Sequence, residues 1–122
     1  MTIPDIHHVM VAIPVGGEET ARRFYGDLLG LTEVPKQADM RHRGGVWFRT
    51  GNIDFHLGAD PDFQAAAKAH VAWQVDDLDG LRARLSGAGY VTTDDIPLDG
   101  YRRFKVQDPF GNSVELLAPL PG

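Results

Sequence analysis

Two segments of this 122-residue chain open on the same dipeptide and continue alike: HVMVAI from His8 and HVAWQV from His70, 62 residues apart. Each is followed by a helical pattern and then by three further strand-like runs. The chain therefore reads as one motif used twice, strand–helix–strand–strand–strand. Half of such a chain is too short to bury a sheet comfortably on its own. The two halves must share a core or pair with another copy.

The elements follow from periodicity and punctuation. Ile6 to Pro14 alternates and is rich in β-branched residues, which predicts a strand. In EETARRFYGDLLG, residues Ala21, Phe24, Tyr25, Leu28 and Leu29 recur at i, i+3, i+4, i+7 and i+8, an amphipathic helix closed by Gly30. Leu31 to Val34 is a short strand, and a polar stretch runs on to Arg43. GVWFRT and NIDFHLG flank Gly51-Asn52 and predict a hairpin pairing Phe48 with Phe55 and Trp47 with His56. Residues 59–68 are expected to link module one (5–58) to module two (69–119), with a helical turn at most over Gln64–Ala67. In module two, Asp76 or Asp77 caps a helix striped by Leu78, Leu81 and Leu85. YVTTD, YRRFKVQ and SVELL supply the closing strands, the last two joined by the turn DPFGN.

Strand alternation then sorts the side chains into faces. Val9, Val11 and Ile13 oppose His8, Met10 and Ala12. Val71, Trp73 and Val75 oppose His70, Ala72 and Gln74. In the closing strands, Phe55 and Leu57 oppose Asp54 and His56, while Val114 and Leu116 oppose Ser113 and Glu115. The less apolar faces thus carry His8, His56, His70 and Glu115, two in the first strand and two in the last strand of the halves. Three imidazoles and one carboxylate suit Zn, Ni, Co, Mn or Fe(II), with positions of an octahedral ion left for water or a chelating substrate. Such a site polarises a carbonyl and stabilises an enolate. His7 falls on the opposite face and is expected to be a bystander. Met10 and Trp47 are candidates to wall an apolar pocket; Tyr101 and Arg103, with Lys105, face the same side of their strand, where Arg103 either clamps a substrate anion or lies solvated. Asp54 either orients a ligand histidine or pairs with Arg49. Tyr25 belongs to the apolar helix stripe and so to the core.

The segments HHVMVAI, ARRFYGDLLGLTEV, DFHLG, AHVAWQVDDLDGL and DPFGNSVELL together resemble the vicinal oxygen chelate superfamily, which includes glyoxalase I, bleomycin-resistance proteins and extradiol dioxygenases. The resemblance implies an α+β, glyoxalase-like fold of two βαβββ modules whose curved mixed sheets surround a cavity. It also implies a divalent metal held by the first and last strands of each module, at His8, His56, His70 and Glu115. Glyoxalase I usually has a carboxylate where His56 stands, so Glu115 is the remaining ligand carboxylate able to act as catalytic base. The function expected is a metal-dependent lyase or isomerase acting on a small substrate chelated through adjacent oxygens. The alternatives are an extradiol-type dioxygenase and a non-catalytic small-molecule (antibiotic) binding protein. Relatives of this length are commonly homodimers, often with sites built from both subunits.

Composition narrows the remaining classes. There are no cysteines, which excludes disulfides, thiolate metal sites and cysteine nucleophiles. The formal net charge is -5, with no basic block beyond Arg22-Arg23 and Arg102-Arg103, so a nucleic-acid surface is not expected. No apolar run approaches the roughly 18 residues that span a bilayer. MTIPDIHH lacks the features of a signal peptide, which makes a cytoplasmic location the expectation.

Overall fold

A computed structural model describes all 122 residues and divides them into two compact units, Met1–Gln64 and Ala65–Gly122. The first contains β1 (His8–Pro14), β2 (Thr32–Val34), β3 (Val46–Thr50) and β4 (Ile53–Asp60), with α1 (Glu18–Ala21) between β1 and β2. The second contains β5 (Val71–Gln74), α2 (Leu78–Gly87), β6 (Thr92–Asp94), β7 (Tyr101–Gln107) and β8 (Ser113–Pro119). Each unit folds into one four-stranded mixed sheet, ordered β1-β4-β3-β2 and β5-β8-β7-β6. In both, the first strand pairs parallel with the last, and the remaining pairs are antiparallel. The class is α+β, as the repeated strand–helix–strand pattern implies. No helix is long and apolar enough to cross a membrane.

The parallel pairing explains why the motif needs its helix. A hairpin cannot return a strand parallel to its predecessor, so the chain must cross over the sheet face. The crossover elements cover one face with apolar side chains. In the first unit Ile13, Phe24, Tyr25, Phe48, Phe55 and Leu57 are all essentially inaccessible, and the Tyr25 ring lies 5.2 Å from that of Phe55. In the second unit Leu81 and Leu85 of α2 bury with Phe104, Val114 and Leu116. Asp77 starts α2 by accepting the Gly80 amide at 3.0 Å.

Several details depart from the sequence reading. β1 begins at His8 rather than Ile6, and β5 at Val71, so His70 stands one residue ahead of its strand. The first helix forms, yet from Arg22 to Leu28 it is a π-helix, with Leu29 N bonded to the Phe24 carbonyl at 3.0 Å. Gly30 closes it at φ 83. The polar stretch before β3 contains a 3-10 helix, Ala38–Arg43. β4 runs two residues into the expected linker, and residues 64–67 are not helical. The three consecutive alanines are exposed and bury no apolar face, so propensity alone does not hold a turn.

Entry into β3 depends on two glycines. Gly44 and Gly45 adopt φ 73 and φ 92, and a Cβ on Gly45 would lie 2.0 Å from the Leu57 carbonyl oxygen. That oxygen belongs to a buried central strand and has nowhere to go. We expect Gly45→Ala to cost about 3 kcal/mol, the sum of left-handed strain and backbone overlap. Gly51→Ala, at φ 54 with nothing within 4 Å, should cost about 1 kcal/mol. Urea unfolding compares the two, and equal losses would contradict this account of the β3 entry.

Candidate functional site

The hairpin register is the expected one: Phe48 opposes Phe55, Trp47 opposes His56 and Arg49 opposes Asp54. Because β1 lies parallel on the other side of β4, Met10 is level with His56 and His8 with Asp54. His8, Met10, Trp47, Arg49, Asp54 and His56 therefore share one face of the first sheet. On it three rings form a row. The His56 imidazole stacks on Trp47 at 4.0 Å and 5°, and on His8 at 4.5 Å and 17°. His56 is 6% exposed, and its Nε2 is buried without any hydrogen-bond partner. Burial holds the His56 ring below the ordinary histidine pKa, and the neighbouring His8 pushes it the same way. The ring is thus kept neutral with an unsatisfied nitrogen, the state in which imidazole accepts a metal ion.

His7 is no bystander in one respect. It is exposed, but its Nδ1 lies 2.9 Å from Nδ1 of His8. One of these nitrogens must carry the proton. If His8 donates, its Nε2 is left as the free acceptor. Strand alternation did not reveal the contact because His7 precedes β1, where the period of two does not apply. Asp54 is engaged by Arg49 in a two-pronged ion pair of 2.6 and 3.2 Å, which lowers its carboxyl pKa. It pairs with Arg49 rather than with a histidine.

The second unit carries its own pair on the equivalent face. Lys105 is level with both Glu115 and Thr93, and Ala72 with Glu115. Glu115 is 2% exposed, and its Oε1 receives the Arg103 guanidinium at 3.0 Å and meets His70 Nε2 at 3.1 Å. His70 Nδ1 lies 2.8 Å from the Lys68 carbonyl, which can only accept, so that nitrogen holds the proton. In a neutral ring Nε2 is then a bare lone pair facing a carboxylate oxygen. Two acceptors at this separation require a cation between them, either a proton or a metal ion.

Arg103 makes three polar contacts within the second unit. Its Nε donates to the Ile96 carbonyl at 2.7 Å, Nη1 holds Glu115, and Nη2 stands 3.5 Å from Asp95. Lys105, 3.0 Å from the same Asp95, holds that carboxyl below its usual range. Tyr101 starts β7 partly exposed. Within neither unit do three His, Cys, Asp or Glu side chains gather into a metal-holding group; each offers two of the four expected ligands.

Two cavities adjoin these faces. One of about 170 Å³ on the first unit is lined by Met10 and Trp47, the two expected wall residues. Met40, Lys36 and Arg43 also line it. The sequence reading missed these three, since the segment holding them showed only polarity and no periodicity. The other, about 630 Å³, lies on the second unit beside Thr93, Lys105, Gln107 and Ser113.

Comparison with known proteins agrees with the architecture. The chain is similar over 98% of its own length and 98% of the other's to a putative glyoxalase family protein from Bacillus anthracis, with 41% identity and a TM-score of 0.93. It resembles lactoylglutathione lyase from Agrobacterium tumefaciens (21% identity, TM-score 0.74, 96% and 95% covered) in fold. It likewise resembles the fosfomycin resistance protein FosX from Listeria monocytogenes, solved with Mn(II) and a dihydroxypropylphosphonic acid (15% identity, TM-score 0.80, 98% and 95% covered). No curated protein is significantly similar in sequence. The model of the glyoxalase/bleomycin resistance protein/dioxygenase superfamily matches residues 5–116, and to that superfamily the chain belongs.

Proposed function

We propose that the protein is a metal-dependent lyase or isomerase of glyoxalase type, acting on a small substrate that presents two adjacent oxygens. His8, His56, His70 and Glu115 are the proposed ligands of one divalent ion. The observation that carries this reading is the pair of unfinished coordination groups: a buried, partnerless His56 Nε2, and a His70 Nε2 lone pair opposed to the Glu115 carboxylate. Each unit supplies two of the four, and a two-fold homodimer is the proposed assembly. β1 and β5 are edge strands, the kind of surface that a partner covers. Small-molecule chemistry is supported by the fold's counterpart in FosX, which was solved with Mn(II) and a dihydroxypropylphosphonic acid.

A bound divalent ion supplies Lewis acidity toward a substrate carbonyl. The chain's own groups do the rest. Both Glu115 contacts engage Oε1, so Oε2 is the oxygen proposed to accept a substrate proton. Arg103 acts as a positioning residue, fixing the orientation of that carboxylate through its 3.0 Å contact with Oε1. The Lys68 carbonyl fixes the His70 tautomer, and His7 is proposed to do the same for His8.

Replacing His8 or His56 by Ala should weaken metal binding at least tenfold, read by titration calorimetry on protein stripped with a chelator. His7→Ala should cost less than either of these, because it removes only a tautomer-setting contact of an exposed side chain. A His7 variant that loses more metal than the His8 variant would overturn the assignment of the first strand.

The depressed His56 pKa gives a pH test on the metal-free protein. Its folded pKa lies below the unfolded value near 6.5, so between the two the unfolded chain binds the extra proton. Its contribution to stability is fully present above about pH 6.5 and is lost as pH falls toward the folded value. Urea midpoints should therefore drop between pH 7 and pH 5, and drop less in His56→Leu. An equal drop in both proteins would show that His56 is not the buried neutral group described.

A further inference from the structure

The cavity on the first unit has a composition of its own. Its floor is Gly58 of β4, its walls are Met10 and Trp47, and Met40 and Arg43 reach it from the 3-10 helix. Position 58 has no side chain, which lets Met10 lie against the strand there: a Cβ would meet Met10 Sδ at 3.0 Å. The Trp47 ring that lines it also stacks on His56, so an occupant would sit next to a proposed ligand. At about 170 Å³ the space suits one benzene-sized group, since a cavity of about 150 Å³ accepts benzene. Two thioethers and an indole are soft, polarisable walls for such a ring.

Charge selects the rest of the occupant. No lining residue is acidic, and two are cationic. Lys36 Nζ donates to the Gly44 carbonyl, and Arg41, outside the cavity, donates to the Lys36 carbonyl. Arg43 is exposed at the end of the 3-10 helix and enters no ion pair. Its planar fork of donors matches a carboxylate. We infer that this cavity binds a small organic anion, a benzene-sized apolar body bearing one carboxylate, with the body between Met10 and Trp47 and the carboxylate at Arg43. The inference goes beyond the proposed function, since this occupant is held by its carboxylate at Arg43 and not through adjacent oxygens at an ion, and it does not depend on that function.

The test uses the full chain, free of metal and then loaded with Mn(II), titrated with benzoate and with its neutral isostere benzamide. Amide and indole NMR shifts are the readout for the metal-free protein and competition calorimetry for the loaded one. Benzoate should move the Trp47 indole resonance saturably and bind about fivefold more tightly than benzamide, the discrimination expected of one exposed guanidinium. Arg43→Gln, at an exposed position, should erase that preference and keep benzamide binding. Gly58→Val should weaken both ligands by displacing the Met10 side chain from its place against the strand. Equal affinity for the two ligands, a preference that survives Arg43→Gln, or a Trp47 resonance that does not respond would each overturn the inference. Benzoate binding without Mn(II) binding would instead sink the proposed ligand set and leave the cavity assignment standing.

Discussion

The central strand of each sheet is the constraint on which the rest depends. β4 and β8 are hydrogen-bonded on both sides, and runs of consecutive residues along them, Phe55 to Leu57 and Val114 to Leu116, are buried on both faces. In each run the middle residue is polar, His56 or Glu115, between two large apolar neighbours. A one-residue slip of register would exchange His56 with Phe55 or Glu115 with Leu116. It would place a polar group in the apolar core and a hydrophobe on the polar face. Register and chemistry are therefore set by the same packing.

The two buried polar groups are stabilised in different ways. Glu115 is a carboxylate taken out of water, and it is balanced by Arg103, with His70 Nε2 beside the same oxygen. His56 has aromatic neighbours instead, Trp47 on β3 and His8 on β1, which favour its neutral form and leave Nε2 without a donor or acceptor. Neither environment is one that stability alone would choose. A leucine at either position would bury more cheaply, and the unsatisfied nitrogen in particular is a cost that binding of a cation would offset.

The same face of the first sheet joins this polar row to an apolar pocket through one side chain, Trp47. Its ring contacts His56 and lines the cavity beside Met10, so cavity shape and imidazole orientation are coupled. The glycine at position 58 and the pair Gly44-Gly45 make that arrangement feasible. One leaves space for Met10 and the others bring the chain into β3 against the Leu57–Gly58 backbone.

The repeat, the strand alternation and the Gly51-Asn52 turn by themselves determined the element order, the hairpin register and the division of each strand into an apolar and a polar face. These are local properties, dictated by a period of two, a period near 3.6 and a turn needing φ above zero. His8, His56, His70 and Glu115 stood out for the same reason, as polar residues at matching places in strands otherwise apolar on one side. Tertiary structure alone decided what those side chains touch. The contact of His7 with His8, the hold of Arg103 on Glu115, the stacking of Trp47 on His56 and the cavity beneath Met10 all join residues from separate segments or lie outside regular strands. Alternation says which face a residue occupies; distances between side chains on that face depend on rotamers and on neighbours brought in from elsewhere along the chain, which periodicity does not encode.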